Sequence, residues 1–157
     1  MNRLVLLGTG CPAPSYRRFG PSTLIEINGE RYLFDTGSGV TQRLNELGLK
    51  SSDIDFVFIT HIHSDHIVDL YQLYISGWHQ GRNKPFKVIG PVGIKHFFTK
   101  QLESYYDELK LRKEYEMRPN EDGLNYEIIE IDDDFKFDKE NLSINPFYVD
   151  HAPVNPA

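Results

Sequence analysis

Short apolar segments alternate along the chain with longer segments that have apolar residues at every third or fourth position. The short segments predict strands, and the longer spacing predicts helices that pack on a sheet. The predicted strands are residues 3–7, 22–27, 31–34, 55–60, 86–89, 126–131 and 142–150. Asn28-Gly29 predicts a hairpin turn between the second and third strands. The alternation predicts an α/β fold.

Three apolar stripes mark the predicted helices. Val40, Leu44 and Leu47 share one helical face, and Gly48 follows as the expected end of that helix. A second stripe covers residues 67–73. The third stripe contains Ile94, Phe97, Phe98, Leu102, Tyr105 and Leu109. After it the chain becomes charged, and the composition of residues 118–123 predicts an exposed loop.

Three histidines and one aspartate lie within six residues directly after the predicted strand 55–60. His61 and His63 are two residues apart in extended chain, so their side chains point the same way. Asp65 and His66 open the next helical stripe and approach from another direction, which allows a second ion beside the first. These ligand types favour zinc, with iron or manganese possible, over calcium or magnesium. Such a site is typical of a hydrolytic centre.

Length and composition limit the remaining classes of protein. The 157 residues are predicted to form one domain, 1–157. The lone Cys11 excludes a disulfide framework, and no leader or long apolar segment is present, so we expect a cytoplasmic protein without membrane contact. The net charge of −6 argues against a broad nucleic-acid surface, although a local basic patch remains compatible with it.

The His-x-His-x-Asp-His motif resembles the metal motif of the metallo-β-lactamase superfamily. Residues 7–14 (LGTGCPAP), 34–39 (FDTGSG) and 89–93 (IGPVG) resemble the tRNase Z-like branch, which also holds arylsulfatases and cyclic phosphodiesterases. The resemblance extends over essentially the whole chain. It implies an αββα sandwich of which the chain contains only the N-terminal half to two-thirds.

The resemblance also implies roles for individual residues. The implied metal ligands are, for one zinc, His61, His63 and His151 and, for a second zinc, Asp65 and His66. Asp65 is in addition the candidate catalytic residue. Asp35 would orient a metal ligand from behind or support its loop.

Two features differ from the tRNase Z pattern. Family members continue past the third metal-binding motif with a bridging Asp and a final His, whereas the tail 152–157 offers only a neutral amide. We therefore expect an incomplete second metal site. tRNase Z proteins also tend to carry Arg-Asn after the first loop and Gly-Asp-His in the metal motif, where this chain has Arg18-Phe19 and Ser64-Asp65-His66. The second difference favours another hydrolase of the same branch.

The expected function is hydrolysis of a phosphodiester or sulfate ester by metal-activated water, with a small anionic ester as substrate and weak activity in this chain alone. One alternative is a tRNA 3′-processing endonuclease acting on RNA. The other is a non-catalytic metal-binding half-domain that forms a homo-oligomer through an uncovered apolar sheet face. Arg17, Arg18 and Arg82 are either substrate-binding or ordinary surface cations.

Overall fold

One mixed six-stranded sheet dominates the computed structural model, which describes residues 2–10, 12–116, 121–132, 134–140 and 142–151. Its strands, in spatial as well as chain order, are β1 (Arg3–Gly8), β2 (Ser22–Ile27), β3 (Glu30–Phe34), β4 (Phe56–Phe58), β5 (Phe86–Gly90) and β6 (Tyr126–Glu130). Strands β1 to β3 pair antiparallel, and β3 to β6 pair parallel. The predicted α/β class is confirmed.

Parallel neighbours require crossover connections, and helices supply them. The helices are α1 (Val40–Glu46), α2 (Ser64–Ile67), α3 (Leu70–His79), α4 (Ile94–Ser104) and α5 (Tyr106–Tyr115). Alternate strand residues such as Leu33, Val57 and Val88 are fully buried in one core with Leu44 of α1 and Phe98 of α4. This core fixes the helical layer on one face of the sheet.

The second face of the sheet is partly covered by a hairpin of β7 (Phe137–Lys139) and β8 (Leu142–Ile144). The ring of Phe137 meets the rings of Tyr32, Phe56 and Phe58 edge-on, at centroid distances of 6.1, 5.1 and 5.4 Å. Strand β7 was not predicted, because its apolar residues are few. Leu4 and Leu6 of β1 remain 61% and 59% exposed. Self-association through this face stays a prediction.

The hairpin turn at Asn28-Gly29 is confirmed. Asn28 has φ 53° and Gly29 has φ 89°, the backbone that a two-residue hairpin turn requires at both central positions. The helix that starts at Val40 is also confirmed, and it ends before Gly48, which has φ 73°.

Three predicted elements differ from the structure. The strand predicted over 142–150 ends at Ile144, because its partner β7 is three residues long and Pro146 has no N–H for a ladder. The helix predicted over 67–73 is interrupted between α2 and α3, where the Asp69 N–H donates to the Thr36 carbonyl instead of to its own helix (3.0 Å). The third stripe forms two helices that divide at Tyr105, whose ring stacks on Tyr71.

Some expectations lie outside the described residues: Cys11, residues 118–120 of the predicted loop 118–123, and the tail 152–157. The last two residues of that loop belong to a short 3-10 turn, Asp122–Leu124. Of the described helices, none is both long enough and apolar enough to span a bilayer.

Replacing Phe137 tests whether the hairpin covers the second face. We expect Phe137→Ala to lower the free energy of unfolding by about 2 kcal/mol, below the usual cost for a fully buried ring because this one is only partly buried. Urea denaturation followed by circular dichroism measures the change. The matched control is Phe147→Ala, since Phe147 is 75% exposed and should change stability by no more than about 0.5 kcal/mol. Equal losses in both variants would contradict this packing.

Candidate metal centre

The candidate site lies at the carboxyl edge of the parallel strands. Asp35 directly follows β3, and the segment Thr60–His66 follows β4. These two strands are parallel neighbours in the sheet, so both segments leave it at the same edge. The topology therefore brings together residues that are about thirty positions apart in the chain. This edge is where open α/β sheets commonly bind ligands.

Three imidazoles converge at this edge. One ligand nitrogen from each of His61, His63 and His151 lies within 4.8 Å of the others. The ring centroids are 4.7 Å apart for His61 and His63, and His151 lies 5.0 Å from each of them. His63 leaves the strand end as extended chain, with φ −69° and ψ 144°. The structure thus brings the two motif histidines to the distant third histidine.

His61 carries the observation that tests whether a metal fits. Its Nε2 is buried and has no hydrogen-bond partner among the described residues. Burial, reinforced by the nearby His66, lowers the pKa of His61, so the neutral ring with a bare lone pair is favoured. A buried nitrogen of this kind is costly unless something binds it. A divalent ion beside His63 and His151 would satisfy it, so these residues fit a metal.

Asp35 orients His66. The Nδ1–H of His66 donates to Oδ2 of Asp35 at 2.8 Å, which leaves Nε2 as the free ring nitrogen. This hydrogen bond raises the pKa of His66. Nε2 of His66 lies 3.8 Å from Oδ2 of Asp65, and the His66 and His61 rings are 4.0 Å apart. Asp65 and His66 therefore form a second potential ligand pair next to the three imidazoles.

Thr60 orients His61, a role that was not predicted from the sequence. The Thr60 hydroxyl lies 2.9 Å from Oδ2 of Asp35 and 2.9 Å from Nδ1 of His61. An ionised carboxylate only accepts hydrogen bonds, so the hydroxyl donates to Asp35 and accepts from the Nδ1–H of His61. That tautomer leaves Nε2 of His61 free for a metal. A metal ligand that binds through Nε2 needs an acceptor for its Nδ1–H, and a search for that acceptor beside His61 would have identified Thr60.

The loop that carries Asp35 is fixed to the histidine segment. Asp35 has φ 60°, a backbone that non-glycine residues seldom adopt and that is often retained at functional sites. The Thr36 N–H donates to the His66 carbonyl at 2.7 Å. Asp69 accepts from the Gly39 N–H at 2.7 Å, while burial raises the pKa of its carboxyl. These contacts hold Asp35 against the segment that it orients.

Arg82 lies away from this site, and both expectations for it were wrong. It is 2% exposed and donates from Nη2 to the Gly123 carbonyl at 2.7 Å. Its guanidinium also lies over the rings of Tyr74 and Phe86, at 5.1 and 4.9 Å from their centroids. Its burial was not predicted because the carbonyl that binds it, that of Gly123, lies 41 positions further along the chain. Arg82 is a structural cation of the core.

The family of the chain follows from its sequence. The profile of the family described as "Anti-Pycsar protein Apyc1" matches residues 2–157. The chain belongs to the Apyc1 family. The match contains every candidate ligand, from His61 to His151, and also Asp35.

Curated relatives of this Apyc1-family chain carry the name ribonuclease Z. A ribonuclease Z from Mycolicibacterium gilvum (strain PYR-GCK) is 33% identical over 162 residues, which are 99% of this chain and 55% of the relative. The ribonuclease Z from Mycobacterium marinum (strain ATCC BAA-535 / M) is also 33% identical, over 99% of this chain and 57% of the relative. The chain therefore spans about half the length of the curated relatives it matches.

Solved structures confirm the fold. Human tRNase Z, short form, superposes with a TM-score of 0.76 at 25% identity. The match covers 99% of this chain and 63% of the human chain. The metallo-β-lactamase fold protein YhfI from Bacillus subtilis superposes with a TM-score of 0.72 at 18% identity. The match covers 98% of this chain and 56% of the YhfI chain. The predicted metallo-β-lactamase-type fold and the resemblance to its tRNase Z-like members are thus confirmed.

Removing the Thr60 hydroxyl should weaken metal binding. Thr60→Val keeps the shape of the side chain, but it leaves the Nδ1–H of His61 without its acceptor and frees the ring to take the other tautomer. Loss of such a supporting partner typically lowers metal affinity by about 10- to 100-fold. Competition with a fluorescent zinc chelator measures the dissociation constant.

Thr60→Ser is the matched control because it retains the hydroxyl, and its zinc affinity should stay close to that of the parent chain. Nitrogen-15 spectra of the metal-free protein should show Nδ1-protonated His61 in the parent and in Thr60→Ser. An unchanged tautomer and affinity in Thr60→Val would contradict the role of Thr60.

Acidification should affect the two ligand groups in a fixed order. Metals bind neutral imidazole, and the raised pKa of His66 means that its ring gains a proton at a higher pH than the ring of His61, whose pKa is lowered. An ion held by Asp65 and His66 should therefore leave first as the pH falls from 8 to 5.5. Cobalt absorption spectra at each pH measure occupancy. The variant His66→Ala should lose only this early step, and the opposite order would contradict the assignment.

Proposed function

We propose that this chain carries the metal centre of a phosphodiesterase that cleaves its substrate with metal-activated water. The observation that supports the proposal most strongly is the convergence of His61, His63 and His151 around the buried, unpartnered Nε2 of His61. Three neutral nitrogens that leave room for water are typical of catalytic rather than structural zinc sites. Zinc is the proposed metal, with iron or manganese as alternatives.

The residues divide the work between binding and proton transfer. A bound divalent ion supplies Lewis acidity and lowers the pKa of its water towards about 7. His61, His63 and His151 would hold that ion, while Asp65 and His66 would hold a second one. The carboxylate of Asp65 would also orient the attacking water or accept its proton. Asp35 would keep both groups of ligands in position through Thr60 and His66.

The proposed substrate class is a small phosphodiester. The relatives named ribonuclease Z support phosphodiester chemistry, whereas no relative named above supports the sulfate esters that the sequence also allowed. The net charge of −6 and the departures at Arg18-Phe19 and Ser64-Asp65 favour a small ester over a long polyanion. Cyclic phosphodiesters are among the candidate substrates, because cyclic phosphodiesterases occur in the branch that the motifs resemble.

RNA is the second candidate substrate. The ribonuclease Z relatives and human tRNase Z, short form, favour it by name and by fold. A tRNA 3′-processing role would need a basic surface for the RNA backbone. Such a surface is compatible with an acidic total only as a local patch. The cytoplasmic location and the homo-oligomer expected from the sequence remain proposals.

Turnover by the zinc-loaded chain tests the proposal. The substrates are bis(4-nitrophenyl) phosphate, a 3′,5′-cyclic nucleotide, 4-nitrophenyl sulfate and a precursor tRNA. We expect slow, metal-dependent cleavage of the phosphodiesters, and His63→Ala should lower it by about a hundredfold or more, since a positioned charge stabiliser is lost. Zinc content per chain should fall in parallel.

The matched control is His96→Ala, because His96 is an exposed histidine on α4 that does not belong to the group His61, His63 and His151. It should retain both zinc and turnover. Background rates in all three proteins despite bound zinc would contradict the hydrolase proposal. Much faster cleavage of precursor tRNA than of the small esters would favour the endonuclease.

A further inference from the structure

A cavity of about 330 Å³ lies beside the candidate metal centre. Asp65 and Ser64 of the metal motif form part of its wall, and Arg18 of the β1–β2 loop forms another part. Hydroxyls of Ser15 and Ser38 add polar groups. Pro12, Ala13, Pro14, Phe19 and Val68 supply the apolar part of the lining. A cavity of this size and mixed lining suits a small ligand that has an anionic group and a flat apolar group.

Arg18 is available to bind an anion. Among the described residues, no carboxylate lies within ion-pair distance of its guanidinium. By contrast, an ion pair with a glutamate is formed by each of Arg3, Arg31, Arg43 and Arg112. Guanidinium groups bind phosphate through two parallel hydrogen bonds and are the preferred cation for this purpose. An unpaired arginine in the same cavity as a candidate metal ligand therefore points to an anionic ligand between them.

The backbone around Arg18 is held in place on both sides. Ser15 and Arg18 form an isolated antiparallel bridge. The Phe19 carbonyl accepts from the Gly10 N–H at 2.7 Å, and the Gly20 N–H donates to the Ser38 carbonyl at 2.9 Å. This explains the glycine at position 10, where a Cβ would stand 2.7 Å from the Phe19 carbonyl oxygen.

The ring of Phe19 fixes the loop further. It covers Gly39, where a Cβ would lie 2.0 Å from its Cδ1. The guanidinium of Arg43 lies 5.4 Å from the centroid of the same ring. Gly39 follows Asp35 in the loop that orients the histidines, so the wall with Arg18 and the metal centre share one support.

We propose that Arg18 binds the anionic phosphoryl group of the substrate and that the surrounding cavity receives one ester group of that phosphodiester. The proposal rests on the proposed function, which it makes more specific. Arg18 and the metal ligands would contact the phosphate from two sides, while Phe19 and Val68 would contact a base or aryl group. Arg17 is not part of this wall, because its guanidinium lies over the ring of Tyr16 instead.

Binding of inorganic phosphate tests this assignment without turnover. Titration calorimetry compares Arg18→Ala, Arg18→Lys and Arg17→Ala with the parent chain, each in the metal-free and the zinc-loaded form. A hydrogen-bonded charge pair is worth about 1.5–3 kcal/mol, so Arg18→Ala should weaken phosphate binding about tenfold or more. Arg18→Lys should recover part of the affinity, because lysine restores the positive charge but not the two parallel hydrogen bonds of the guanidinium. Arg17→Ala, the matched control, should stay within about twofold of the parent, because its guanidinium is not in the cavity wall.

Kinetics with bis(4-nitrophenyl) phosphate give an independent measure. Arg18→Ala should raise KM more than it lowers kcat, and zinc content should not change. Phosphate binding by Arg18→Ala equal to that of the parent, or an equal loss in Arg17→Ala, would overturn the assignment. Absence of turnover in every zinc-loaded protein would contradict the proposed function, while the phosphate titration would still decide whether Arg18 binds the anion.

Discussion

The carboxylate of Asp35 is the group on which the geometry of the site depends. It accepts hydrogen bonds from the Thr60 N–H, the Thr60 hydroxyl and Nδ1–H of His66, and it is only 7% exposed. A buried carboxylate is costly unless it accepts hydrogen bonds. The same hydrogen bonds hold the donor groups in one orientation. The carboxylate at the end of β3 thereby determines which ring nitrogen remains free in both histidines. It acts through Thr60 on His61 and directly on His66. The left-handed backbone of Asp35 is retained because these partners require its position.

The sheet register makes this arrangement possible. Strands β3 and β4 are parallel and in register from Tyr32 and Phe56 to Phe34 and Phe58, so Asp35 and the histidine segment leave the sheet side by side. Asp69 then interrupts the helix to bind the loop after Asp35, through both its N–H and its carboxylate. His151 differs from the other ligands. It follows an irregular segment, it is exposed, and its ring meets the rings of His61 and His63.

Local sequence patterns predicted the features that depend on neighbours in the chain. Apolar runs predicted most strands, Asn28-Gly29 predicted the hairpin, and the spacing of His61 and His63 predicted convergent rings. What escaped prediction depends on distant partners. Thr60 acquires its role only beside Asp35, the break at Asp69 arises from a contact with a loop thirty residues earlier, and β7 forms because Phe137 finds the aromatic rings of the second sheet face. Hydrophobic periodicity carries no information on such pairings.

Charge explains how an acidic chain would select an anionic substrate. His61, His63 and His151 contribute neutral nitrogens, so a divalent ion held by them alone would keep its full double charge, whereas Asp65 would neutralise part of the charge of a second ion. Arg18 adds a further positive charge across the same cavity. The local potential at the site would then be positive within a chain whose net charge is −6. At distances of a few ångströms inside a cavity this local term outweighs distant surface charges, because charges separated by more than about 8 Å are largely screened at physiological salt. A small phosphodiester would be attracted by the cavity itself and would need no broad basic surface.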